Sequence, residues 1–91
     1  MNAARVAMIE QCLRQALDPV QLAVVDDSAR HAGHAGARDG RGHFNVRIVS
    51  AAFAGLRPLA RHRAVYAALG TLMQTDIQAL GVEALTPDEA G

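Results

Sequence analysis

The sequence predicts an α+β domain, a two-layer sandwich with two helices on one face of a three-stranded mixed sheet. Three observations carry that class. Apolar residues recur at three- and four-residue steps in residues 3–17 and again from residue 58 onward, the spacing of one helix face. Residues 43–50, HFNVRIVS, alternate apolar and polar, the period of a strand with one buried face. The order is helix, strand, strand, helix, strand. Its strand–helix–strand crossover makes the third strand parallel to one of the first two, hence a mixed sheet.

In chain order, AARVAMIEQCLRQAL sets Val6, Ile9, Leu13, Ala16 and Leu17 on one face, with Asn2 as N-cap and Asp18-Pro19 as the stop. From Val20 the period changes to two, and Leu22 and Val24 oppose Gln21 and Ala23. The connection around residues 28–42 has no period and is far longer than a tight hairpin needs; loops of that length are usually functional or mobile. Phe44, Val46 and Ile48 form the apolar face of the second strand. After AFAGLRP, Pro58 opens a helix expected to run to Leu80, with Leu59, His62, Val65, Tyr66, Leu69, Met73, Ile77 and Leu80 on its apolar face and Arg61, Ala64, Ala68 and Gln78 outside it. Gly81 ends that helix, VEAL forms a short third strand, and residues 87–91 are tail. The expectation is one domain over residues 1–91.

Composition narrows the function. The chain is 51% apolar with zero formal net charge, so its overall field favours neither nucleic acid nor membrane. All nine basic residues are arginine. A single cysteine, Cys12, excludes an internal disulfide and any CxxC metal motif. No apolar run approaches a membrane span and no signal-peptide layout is present, so a soluble cytoplasmic protein is expected.

No nucleophile elbow or phosphate-loop pattern appears, which speaks against an enzyme. Residues 28–44, SARHAGHAGARDGRGHF, hold three of the four histidines. His31 and His34 could ligate a metal, as could His43, or they could be solvated loop residues; no carboxylate or thiolate completes a set there. A phosphate cradle would run from a strand into a helix, whereas this stretch runs from strand to strand. Arg57, Arg61 and Arg63 cluster around the start of the long helix. They form either a solvated shoulder or a surface offered to phosphates or an acidic partner.

The stretch AFAGLRPLARHRAVYAALGTLM resembles the signature of the BolA family, and DDSARHAGH, GHFNVRIVS and ALTPDEA resemble its other segments, in order. The resemblance implies an α-β-β-α-α-β fold related to class II KH domains, without the Gly-x-x-Gly loop that clamps RNA. It implies a non-enzymatic role, as a monomer or weak homodimer. One such role is partnership with a monothiol glutaredoxin in iron–sulfur homeostasis, with a [2Fe–2S] cluster shared between the chains. The other is DNA-binding transcriptional regulation in the stress and morphology response, with Arg57, Arg61 and Arg63 at the reading helix. For the cluster, the family's loop ligand falls on His31, with His34 a nearby alternative. Its second ligand, a histidine near the end of the long helix, falls on Gln78. A carboxamide is a poor ligand for iron–sulfur chemistry, so the usual pair is broken.

Overall fold

The computed structural model describes residues 2–28 and 40–91. Helix α1 (Asn2–Leu17) already includes Asn2, which was expected as its N-cap. It stops where Asp18 turns into the left-handed region (φ 45°) and its N–H reaches back to the Arg14 carbonyl, the turn that closes many helices. Pro19 then prevents continuation. Strands β1 (Gln21–Asp26) and β2 (Gly42–Val49) pair antiparallel, Val24 opposite Val46 and Asp26 opposite Phe44. A 3₁₀ turn (Ala51–Phe53) leads to helices α2 (Pro58–Leu69) and α3 (Leu72–Thr75), then strand β3 (Ile77–Leu85) and a terminal helical turn α4 (Pro87–Ala90). Strand β3 lies parallel to β2, giving a sheet of order β1-β2-β3. The mixed α+β architecture is therefore the one expected.

Its core forms where the even-numbered residues of the sheet meet the helices. Phe44, Val46 and Ile48 of β2 pack with Ile9 and Leu13 of α1, Val65 and Leu69 of α2, Phe53 and Ile77. Burying side chains of this size stabilises by about 1.5–3 kcal/mol each. Cys12 packs partly buried against this cluster, as a small core thiol. The turn after β2 is anchored by Ser50, 1% exposed. Its hydroxyl donates to the Leu17 carbonyl at 2.5 Å and accepts from Ala52 N–H at 3.0 Å. One small side chain thus ties the end of α1 to the turn that inserts Phe53.

Two expectations about the second half are corrected. The helix from Pro58 ends at Leu69, not Leu80, because Gly70 takes φ 56° and leaves the helical path. Strand β3 is also longer than the expected VEAL: it starts at Ile77, so residues 77–80, expected as helix end, are strand as well. Met73, Ile77 and Leu80 continue the helical step by coincidence, while Leu80, Val82 and Ala84 carry the strand alternation and oppose Phe44, Val46 and Ile48. The buried stripe of α2 is also rotated. Leu59 is 62% and Tyr66 39% exposed, whereas Ala64 and Ala68 pack on the core and Arg61 is partly buried. Alanines let α2 approach closely, and Arg61 turns inward because backbone carbonyls wait there. His62 is partly buried and meets Tyr66 edge-on, ring centroids 6.5 Å apart.

Candidate docking site at the root of the β1–β2 connection

The described residues that frame the long connection come from α1, β1, β2, α3 and β3 and the turns beside them. On its first side, Ser28 N–H donates to Asp26 Oδ1 at 2.9 Å, a local turn made by an aspartate. The Ser28 hydroxyl accepts from His43 N–H at 3.0 Å, and Asp27 N–H donates to the His43 carbonyl at 2.7 Å. Asn45 Nδ2 adds a bond to Asp27 Oδ2 at 3.2 Å. The first root is therefore sewn onto the start of β2.

On the second side, Gly40 has φ 82°, a conformation glycine adopts without strain. Arg5 of α1 donates through Nη1 to the Gly40 carbonyl at 2.7 Å and through Nε to Asp76 Oδ2 at 3.1 Å. Thr75 Oγ1, donating to Asp76 Oδ1 at 2.6 Å, and then Arg5 hold the Asp76 carboxyl below its ordinary value. Gly42 N–H donates to the Asp76 carbonyl at 2.9 Å. A Cβ on Gly42 would lie 2.6 Å from the buried Phe44 ring and 3.0 Å from Ser28 Oγ, so only glycine fits without a shift.

Between these roots the β2–β3 ladder slips. Gly42 opposes Ile77 and His43 opposes Ala79, which leaves Gln78 as the extra residue of a β-bulge. Its Oε1 accepts from Arg41 Nη2 at 2.5 Å. Gln78 thus sits at the start of β3, beside Arg41. His43 is the second residue of β2, its ring nitrogens shielded from solvent. His31 and His34 lie outside the described residues.

The three arginines of the RHR region separate. Arg57 and Arg63 are exposed. Arg61 is engaged internally: Nε donates to the Leu56 carbonyl at 2.8 Å, Nη1 to the Ala84 carbonyl at 3.1 Å, and the fork grips Glu89 at 2.5 and 3.0 Å. That grip, with the Thr86 backbone, holds the Glu89 carboxyl at about 2 and raises Arg61. Residues 87–90, expected as tail, are instead a helical turn with a Thr86/Glu89 capping box. Sequence reasoning missed Arg5, Arg41, Asp76 and Glu89, whose arginine–acceptor pairings join residues 28 or more apart in sequence. Only Thr86-x-x-Glu89 carried a local signal.

The [2Fe–2S] group implied by the resemblance fits the described donors poorly. No group of three or more His, Cys, Asp or Glu side chains converges among the described residues. At position 78 a neutral amide oxygen, already bonded to a guanidinium, replaces the thiolate or imidazole that iron–sulfur centres take.

Comparison with known proteins bears on the whole chain. The sequence model described as BolA-like protein matches residues 13–89. The Arabidopsis thaliana protein named BOLA1, chloroplastic, is 40% identical over 89 residues, 94% of this chain and 56% of the relative, so this chain spans little more than half of that protein. The Escherichia coli protein named DNA-binding transcriptional regulator BolA is 43% identical over 81 residues, 89% of this chain and 74% of the relative. The solved structure of BolA1 from Arabidopsis thaliana superposes with a TM-score of 0.83 at 40% identity, covering 96% of each chain. Among the described residues, no helix is long and apolar enough to cross a membrane.

Proposed function

Because the chain belongs to the BolA-like protein family, we propose that it is a non-enzymatic cytoplasmic adaptor of iron–sulfur and redox homeostasis that docks on a monothiol glutaredoxin. The supporting observation is the framing of the β1–β2 connection. Both of its roots are fastened by side-chain bonds, to Ser28 on one side and from Arg5 to Gly40 on the other. A segment presented from such a frame loses less entropy on binding than a free loop of equal length. From this chain His31, with His34 as the weaker alternative, would then face a shared cluster. Arg57 and Arg63 would supply charge at a second contact.

The rival reading is DNA binding. The exposure of Arg57 and Arg63 and the name of the Escherichia coli relative favour it. Two observations weigh against it: zero net charge, and an Arg61 whose fork is closed on Glu89. Calorimetric titration of the chain against a monothiol glutaredoxin and against duplex DNA separates the two. The adaptor reading expects saturable one-to-one binding to the glutaredoxin. It is abandoned if that protein gives no heat while DNA binds with a steep salt dependence lost in Arg57→Ala and Arg63→Ala.

A further inference from the structure

We propose that position 78 of this chain is a latch and not a ligand: the Gln78 carboxamide holds Arg41 across the bulge, fastening the return of the connection onto β3, so the chain docks without iron bound at β3. The inference rests on the adaptor reading only for its last clause; the latch stands on the geometry of this chain alone.

The bulge gives the first argument. One residue more on β3 than on β2 separates the pairs Gly42–Ile77 and His43–Ala79, and such an insertion re-aims the side chain it adds. Here the side chain meets the guanidinium of Arg41. The second argument is that Arg41 has little freedom to leave. It lies between Gly40, whose carbonyl Arg5 holds, and Gly42, whose N–H is bound to the Asp76 carbonyl. Phe44 and Ser28 close off the space beside Gly42. Backbone on both sides of Arg41 is therefore fixed, and its side chain is aimed at β3.

The third argument is chemical. A metal ion at Gln78 Oε1 would have to displace a charge-assisted hydrogen bond and would then sit beside the guanidinium it displaced. An amide oxygen is a hard, neutral donor, the wrong type for iron held with sulfide. The same oxygen is well suited to accept from arginine. The residue that breaks the expected ligand pair thus has a structural task of its own.

The test uses the full chain in four forms besides wild type: Gln78→Leu, Gln78→Glu, Arg41→Leu, and Arg41→Leu combined with Gln78→Leu. Amide hydrogen exchange is read at Gly42 and His43, and Co²⁺ alone is titrated with optical detection. The latch predicts severalfold faster exchange in Gln78→Leu, the same acceleration in Arg41→Leu, and no further acceleration when both are combined. Gln78→Glu, which keeps an acceptor for Arg41, exchanges like wild type. Co²⁺ binding by Gln78→Leu stays within twofold of wild type. Unchanged exchange in Gln78→Leu, or a tenfold loss of its Co²⁺ affinity, overturns the proposal. Titration with iron-free monothiol glutaredoxin judges the docking clause separately. Wild type and Gln78→Leu should both bind it, whereas binding that needs iron and fails in Gln78→Leu contradicts a ligand-free β3. Absence of binding by wild type under either condition removes the adaptor reading, and the exchange data still decide the latch.

Discussion

The two ends of the sheet use arginine in opposite ways. At the end where β3 finishes, Arg61 closes a clasp on Leu56, Ala84 and Glu89, and its bonds join the turn after β2, the end of β3 and α4. At the other end, Arg5 and Arg41 hold Gly40 and Gln78, the two sides of the place where the long connection rejoins the sheet. In the first arrangement the fork is engaged by carbonyls and a carboxylate of the chain itself. The second defines a frame from which a segment is presented. Arginine content alone therefore says little about recognition; what matters is whether each guanidinium faces the protein's own acceptors.

That contrast can be broken or sharpened by substitution. The largest effect is expected at the frame: Gly42→Ala forces a Cβ against a Phe44 ring that is 2% exposed, costing about 1–3 kcal/mol of overpacking strain in urea denaturation. Next is Ser50→Ala at the clasp end. It strips the half-buried Leu17 carbonyl and the Ala52 N–H of their partner, which costs about 1–2 kcal/mol by the same measurement.

Acid then separates the clasp from the frame. The folded Glu89 carboxyl titrates at about 2 against an ordinary 4.5. Its lowered value means the stabilisation is complete above the ordinary value and is lost as pH falls through the folded one. Melting curves between those two limits should therefore show stability falling with acid, and Glu89→Gln should flatten the slope. Asp76 is also lowered, by Thr75 and then by Arg5, so the slope that remains in Glu89→Gln should shrink again in Asp76→Asn. The smallest effects belong to Arg57→Ala and Arg63→Ala, exposed positions where stability should change by no more than about 0.5 kcal/mol.

Periodic features were legible before the structure and non-local ones were not. Phe44, Val46 and Ile48 announce β2 by alternation, and all three are buried. The third strand was legible at VEAL, but its first part was misread because Ile77 and Leu80 extend the helical step of Met73, and short apolar runs satisfy both periods. Gly70 carried the true stop, yet a glycine inside a helical pattern is often tolerated. The site divided in the same way. The connection stood out for its length and histidines, whereas the bond from Arg5 to Asp76 joins residues 71 apart in sequence, and no local pattern encodes it. Gln78 was recognised as the departure from the family's ligand pair, but its partner Arg41 became visible only once β2 and β3 were paired.

The central claim is that the frame end meets the partner and the clasp end does not. Chemical-shift mapping of the isotopically labelled chain on adding iron-free monothiol glutaredoxin tests it most directly. The account predicts perturbations concentrated at Ser28, Gly40–His43 and Gln78, with Ala84, Thr86 and Glu89 unmoved. Shifts centred on Ala84–Glu89, with the frame residues silent, would contradict it.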